Sequence, residues 1–243
     1  MYILTLQSLS SSARLLSEQI KEISGKKLEV FYEPQREPPS IRWGNSRGTY
    51  ERDTQFNSSR GIRFCGNKLA WSNLMSTLDV PFVELNYRSP EKFPIVIRTL
   101  LNSSEGRGIV IVKNKEEFEI YKNNYWSYWY NFQYELGVHM LGGTVQKVFK
   151  KIWNLEESEP EFPIRNLSKG YSFKRVRPES FSRLHPFVSS FYDEFDLEFC
   201  RMDVGWDQDS HCYRLIEVNT APSLSNNENT LELYANFLAE RIF

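Results

Sequence analysis

Two apolar runs in the last third of the chain carry acidic residues in their interiors. Cys200-Arg-Met-Asp-Val204 holds Asp203, and Leu215-Ile-Glu-Val-Asn219 holds Glu217 and ends on Asn219. Side chains alternate across a β-strand, so residues 217 and 219 point the same way. The intervening Asp207-Gln-Asp-Ser-His211 has hairpin character. If the two strands pair, Asp203 joins Glu217 and Asn219 on one face. Two carboxylates and an amide oxygen are hard donors, suited to Mg²⁺ held jointly with phosphates. An ordinary polar hairpin face is the alternative reading. The polar loop that follows, Thr220-Ala-Pro-Ser-Leu-Ser225, favours the site, because binding residues concentrate where strands end in loops.

Composition narrows the classes further. The 243 residues suffice for one large domain or two to three small ones. An apolar fraction of 40% with 15% aromatics points to a soluble globular protein with a substantial core. Thirty Lys and Arg against 31 Asp and Glu leave a net charge of −1, which gives no footprint for nucleic acid and no polybasic membrane patch. Cys65, Cys200 and Cys212 show no metal or disulfide spacing and read as reduced thiols packed in the interior. No apolar run has membrane-spanning length. Met1 to Leu6 reads as a first β-strand of a cytoplasmic protein.

Along the chain the pattern is α/β with α+β lobes. Tyr2–Leu6, a helix with Leu15, Leu16, Ile20 and Ile23 on one face, and Lys27–Tyr32 make a β-α-β unit. A Pro-rich stretch leads to Arg42-Trp-Gly-Asn-Ser46, and residues 47–60 read as a long loop. A second helix starts near Asn67 with Leu69, Ala70, Leu74, Met75 and Leu78 inward, and Pro81 opens a strand. Runs at 93–100 and 109–112 flank a Gly-containing loop. A short helix at 115–122 and an aromatic strand at 126–134 complete that lobe. Gly142-Gly143 predicts a hairpin between 138–141 and 144–153. Residues 179–195 read as helical with a break at Pro186, and 227–243 as a closing amphipathic helix.

Further candidates for chemistry are spread along this frame. Asn102-Ser-Ser-Glu-Gly-Arg-Gly108 offers backbone N–H groups, and Ser103 and Ser104 offer hydroxyls, to a phosphate. Arg98 stands just before it as a charge-assisted contact. Lys68, Lys147, Lys150, Lys151 and Arg165 add positive charge. Lys150 and Lys151 are adjacent, so only one of them faces a cleft from a strand. His139 and His185 lack an identifiable carboxylate partner and read as structural. No nucleophile constellation is present.

With these pieces in order the sequence resembles the ATP-grasp superfamily. It is most similar to carboxylate–amine ligases of the glutathione-synthetase and ribosomal-protein-glutamate-ligase type, and to small ATP-grasp proteins often found in phage genomes. The carrying residues are Asn67-Lys68, Pro94–Arg98, Gly106-Arg-Gly-Ile109, Tyr134-Glu135 to His139, Ile164-Arg-Asn166 with Gly170, and Asp203 with Glu217-Val-Asn219. The resemblance implies an ATP-grasp fold with a short Rossmann-like N-terminal domain. It implies three units: 1–66, a small lobe at 67–133, and a large lobe with the metal site at 134–243.

The resemblance also implies roles. Lys68 and Arg98 hold ATP phosphates, and the loop with Ser103, Ser104, Gly106, Arg107 and Gly108 closes over them. Lys147 and Lys150 belong to the cofactor-binding set. Tyr134 and Glu135 line adenine and ribose, and Arg165 contacts the γ-phosphate or the substrate carboxylate. Arg165 and Arg98 act in catalysis. Asp203, Glu217 and Asn219 bind two Mg²⁺, with Mn²⁺ an alternative ion. Trp43, Asn45 and Asn166 face the substrate. The implied reaction joins a small-molecule, peptide or protein carboxylate to an amine through an acyl phosphate, releasing ADP and phosphate. A kinase on the same scaffold and a non-catalytic ATP-binding module are the alternatives. The implied location is the cytoplasm, that of the host if the chain is phage-encoded. Two positions depart from the pattern: Arg98 stands where lysine is usual, and Gly137 where arginine is often found.

Overall fold

The computed structural model describes residues 1–5, 10–31, 33, 40–47, 56–100, 107–224 and 228–243. Ser103, Ser104 and Gly106 of the expected phosphate loop, the Pro-rich stretch and residues 48–55 lie outside them.

The first unit is a parallel sheet in which β1 (Tyr2–Thr5) lies between β2 (Glu29–Phe31) and β3 (Ser40–Trp43). The connection from β1 to β2 is α1 (Ser11–Ser24). Ser10 caps it by accepting the Ala13 N–H, and Gly25 ends it at φ 73°, a conformation glycine adopts at little cost. Leu16 and Ile20 are fully buried as expected, whereas Leu15 and Ile23 are exposed. Ala13 and Ser17 take the remaining inner positions.

A helix then appears that overlaps the end of the expected 47–60 loop and fills the unassigned residues 61–66. α2 (Ser59–Gly66) starts at Ser58, whose hydroxyl accepts the Gly61 N–H. Gly61 weakens the helical signal in the sequence. In the fold, a Cβ there would stand 2.3 Å from the Phe195 carbonyl oxygen, so glycine is what lets the helix approach. α3 (Lys68–Thr77) begins at the expected Asn67, which caps the Leu69 and Ala70 N–H groups. Its buried face is Trp71, Ser72 and Met75; Leu69, Ala70 and Leu74 are only partly covered. The strand expected after Pro81 shrinks to an isolated bridge between Phe82 and Leu215.

The small lobe is an antiparallel sheet, β4 (Ile95–Arg98) between β5 (Ile109–Val112) and β6 (Tyr125–Tyr128), backed by α4 (Lys115–Tyr121). Ile95, Ile97, Val112, Phe118 and Trp126 form its core. The aromatic strand expected over 126–134 is two strands. The chain leaves β6 after Tyr128 and enters the next sheet at Phe132.

That larger sheet is antiparallel in the order β11-β10-β7-β8-β9. Its strands are β7 (Phe132–Leu141), β8 (Thr144–Trp153), β9 (Tyr171–Val176), β10 (Phe199–Asp207) and β11 (Cys212–Asn219). The Gly142-Gly143 hairpin forms, with φ of 55° and 78°, as a tight two-residue turn requires. The expected helix over 179–195 is broken into α5 (Leu184–Ser189) and 3₁₀ turns at Pro178–Ser180 and Tyr192–Phe195.

Packing does not follow the sequence boundaries. Ile62, Cys65, Trp71 and Met75 of α2 and α3 join Leu136, Val138, Met202 and Val204 in the core beneath the large sheet. So α3 packs with the large lobe, although it lies in the 67–133 segment. The last helix, α6 (Glu228–Ile242), completes the first unit: Tyr234 and Leu238 pack with Leu16, Ile20, Trp43 and Phe199. Each such side chain contributes about 1.5–3 kcal/mol on burial, so the end of the chain stabilises its beginning. No helix among the described residues is long and apolar enough to cross a membrane.

Candidate active site

The large sheet supplies one wall of a cleft. In the register of β10 and β11, Asp203 stands opposite Glu217 and Arg201 opposite Asn219. All four side chains line the cleft. Asp203 is buried, and its two oxygens are taken: Arg201 Nε lies 2.9 Å from Oδ1 and Lys151 Nζ 2.9 Å from Oδ2. Lys151 also lies 3.0 Å from Glu135 Oε2 on β7. Arg165 continues the chain of charges, 3.6 Å from Glu135 Oε1 and 3.1 Å from Glu159 Oε1. Glu159 also accepts the Tyr171 hydroxyl at 2.6 Å.

Burial alone would push the Asp203 carboxyl up; Arg201 and Lys151 reverse this and hold it below the ordinary value. Burial would likewise lower the Lys151 ammonium, but Asp203 and Glu135 hold it above its usual range. Arg201 needs room to reach Asp203, and Gly137 provides it. A Cβ at 137 would lie 3.3 Å from Arg201 Cδ and 3.7 Å from the Phe173 ring. An arginine at position 137 would therefore displace Arg201. The cation that the resemblance leads one to expect from β7 comes instead from β10.

The small lobe supplies the facing wall. Val96, Ile109 and Ile111 make it apolar, and Arg98 and Ser127 are its polar groups. Ser127 is buried and Arg98 half-buried; among the described residues neither the buried Arg98 Nε nor Ser127 Oγ has a hydrogen-bond partner. Burial pulls the Arg98 pKa down, and Glu217 opposes that shift. Lys68 lies 3.6 Å from Glu217 Oε2. Thr5, Ser10 and Trp43 close a third side, giving a cavity of about 710 Å³.

The structure gathers Trp43, Lys68, Arg98, Glu135, Arg165, Asn166, Asp203, Glu217 and Asn219 around this one cleft. Six other expected residues lie elsewhere. Tyr134 alternates with Glu135 on β7 and so points to the opposite face, against Phe181 and Trp206. Lys150 shares that face, 5.1 Å over the Tyr134 ring, so it is Lys151 that enters the cleft. Lys147 has the parity of Lys151 but lies farther along β8, donating to the Asn229 carbonyl. Asn45 is spent on the backbone, donating to the Thr5 carbonyl and accepting the Arg47 N–H, each at 2.8 Å. Arg107 and Gly108 close the β4–β5 hairpin outside the cleft lining. Sequence reasoning missed Arg201, although its spacing of two from Asp203 signals the shared face. It also missed Glu159 and Ser127, which carry no such signal.

The irregular segment 154–170 brings Arg165 to the cleft and touches the small lobe. Phe162 packs edge-on against Trp129 with ring centroids 5.2 Å apart. Lys113 lies 4.6 Å over the Phe162 ring and 3.3 Å from Glu161.

Two sheets facing each other across a polar cleft recur in solved structures. PsnB, an ATP-grasp ligase in complex with a minimal precursor, superposes with a TM-score of 0.69 at 9% identity, covering 99% of this chain and 98% of that one. The fold is ATP-grasp. The D-alanine–D-alanine ligase of Bacillus anthracis, complexed with ATP, gives 0.65 at 13% identity, covering 99% and 94%. A RimK domain ATP-grasp protein of Sphaerobacter thermophilus gives 0.66 at 12% identity, covering 100% and 99%. No protein-family model matches the sequence, and no curated protein does.

An apolar wall with two buried, unpartnered polar atoms suits a flat base and an anionic tail, and the cavity is of small-molecule size. For Mg²⁺ the donors are hard oxygens on one wall. Among the described residues no three acidic, His or Cys side chains cluster as a metal cage. Glu217 is a third exposed and lies 3.6 Å from Lys68. Asp203 keeps spare lone pairs beyond those that hold Arg201 and Lys151, since a carboxylate offers about four acceptor positions. Asn219 Oδ1 accepts the Ala221 N–H at 3.0 Å and has a second lone pair. This set fits an ion shared with substrate phosphates.

Proposed function

We propose that the protein is an ATP-dependent ligase that joins a carboxylate to an amine through an acyl phosphate. The observation that carries this reading is the buried Arg98 Nε, which has no hydrogen-bond partner among the described residues and belongs to the lining of a cleft between two sheets of ATP-grasp arrangement. A buried donor without an acceptor is costly, and an anion in the cleft relieves it. Lys68 and Arg98 would hold the phosphates, and Glu217, Asn219 and the free lone pairs of Asp203 would hold Mg²⁺. Bound Mg²⁺ would neutralise charge on the transferring phosphoryl group. Arg165, steadied by Glu135 and Glu159, would place the carboxylate of the substrate. Lys151 and Arg201 keep Asp203 ionised. No protein nucleophile is required, and positioning with charge neutralisation supplies the rate.

The test is ADP release from Mg²⁺–ATP mixed with pools of acids and amines. The ligase releases ADP only when both are present. ADP formed with an acid or alcohol alone marks a kinase instead. Nucleotide binding without turnover under every pool marks a binding module.

A further inference from the structure

The chain crosses from β6 to β7 as Tyr128-Trp-Tyr-Asn-Phe132, and all of this crossing but Asn131 lines the cleft. It carries no charge. Lys68, Lys151, Arg165 and Arg201 stand instead with the carboxylates of the large sheet. A flat base therefore suits the aromatic crossing, and its phosphates the charged wall.

The β10–β11 hairpin grips the crossing at three points. Gln208 N–H donates to the Asn131 carbonyl at 3.2 Å. The Phe132 ring lies on Gly205, where a Cβ would stand 2.5 Å from it. The Arg214 guanidinium lies 4.5 Å over the Tyr130 ring, and Tyr130 stacks on Phe132 with centroids 5.7 Å apart and planes 17° from parallel. Arg214 is itself held. Its Nε lies 2.7 Å from Oδ2 of the buried Asp207. Asp207 also accepts the Ser210 hydroxyl and the Asp209 N–H. Burial pushes the Asp207 carboxyl up, and the Ser210, Arg214 and Asp209 hydrogen bonds bring it below the usual carboxylate value, so it stays an anion. A planar guanidinium fixed along one edge by a carboxylate can present its face to a ring in few orientations. Arg214 is half-buried and outside the cleft lining, so it acts on the cleft through Tyr130.

We propose that Arg214 is a positioning residue for the nucleotide: braced by Asp207, it fixes Tyr130 and so the crossing against which the base lies. The inference deepens the ligase reading above and rests on its ATP site. The test is isothermal calorimetry of the full chain with Mg²⁺ and a non-hydrolysable ATP analogue, and again with Mg²⁺ and inorganic tripolyphosphate, which has the tail without the base. Arg214→Ala weakens binding of the analogue about fivefold or more and leaves tripolyphosphate unchanged. Arg214→Lys keeps a cation for the ring and shows a smaller loss of the same kind; it carries the comparison if Arg214→Ala does not fold. Arg98→Ala, by contrast, weakens both ligands. An analogue held as tightly by Arg214→Ala as by the wild type overturns the proposal. So does an equal loss for both ligands, which is what a purely structural role gives, and so does a wild type that holds the analogue no tighter than tripolyphosphate. A wild type that binds neither ligand overturns the nucleotide reading itself, and this inference with it.

Discussion

Replacing Lys151 by Met keeps the length of the side chain and removes its charge. The ammonium lies 3.0 Å from Glu135 and 2.9 Å from Asp203, with about a tenth or less of each side chain exposed. Removing one member of a buried ionic cluster costs roughly 3–5 kcal/mol, because a charge is left without its partner. Here Asp203 keeps Arg201 at 2.9 Å and Glu135 keeps Arg165 at 3.6 Å. The lower end, about 3 kcal/mol, is therefore expected. For a chain of this size that is a fall of roughly 6–12 °C in melting temperature, measured by thermal unfolding followed by circular dichroism. Lys150→Met is the control. Its ammonium lies over the Tyr134 ring on the opposite face, and such a contact contributes only about 0.5–1 kcal/mol where solvent reaches it. A double variant, K151M/D203N, should not recover the loss, because it also takes from Arg201 the carboxylate that lies 2.9 Å from its Nε. If Lys151→Met melts within about 2 °C of the wild type, or no lower than Lys150→Met, the cluster is not the keystone of that wall and the reasoning fails.

Other outcomes follow from the same geometry. Arg98→Ala should weaken ATP binding about tenfold to a hundredfold with the fold intact, read by isothermal calorimetry, because a charge-assisted contact of roughly 1.5–3 kcal/mol is lost. Glu217→Gln should abolish Mg²⁺-dependent ADP release while the melting temperature stays within a few degrees; activity retained in that variant would remove Glu217 from the metal site. The pH dependence of stability should carry a His139 component. Burial lowers its folded pKa from 6.5 to about 3, so between those values only the unfolded chain takes up the proton. Stability is then full above about 6.5 and falls by up to about 1.4 kcal/mol per unit as the pH drops toward 3. His139→Gln should flatten that slope in urea midpoints measured from neutral pH downward.

Much of the site could be read from strand periodicity. Asp203, Glu217 and Asn219 share a wall because residues two apart on a strand do, and because 207–211 closes the hairpin that pairs them. The same rule explains the misses. Lys150 and Lys151 differ by one residue, so parity decides between them. That parity depends on the frame of β7 and β8, whose register shifts at His139/Met140. Tyr134 and Glu135 are separated in the same way. α2 was hidden because Gly61 argues against a helix locally, while its justification, the Phe195 carbonyl, lies far away in sequence. The pairing of α1 with α6, and the orphaned donors of Arg98 and Ser127, are properties of assembled layers that no local window contains.

The grip of Trp129 and Lys113 on Phe162 and Glu161 ties two tasks together. Arg165 sits three residues beyond Phe162, on the same stretch of chain. Any shift of the small sheet against the large one would therefore pull on this stretch, and with it on Arg165 between Glu135 and Glu159. The placing of one wall and the aim of Arg165 on the other are thus mechanically linked, with Phe162 as the pin.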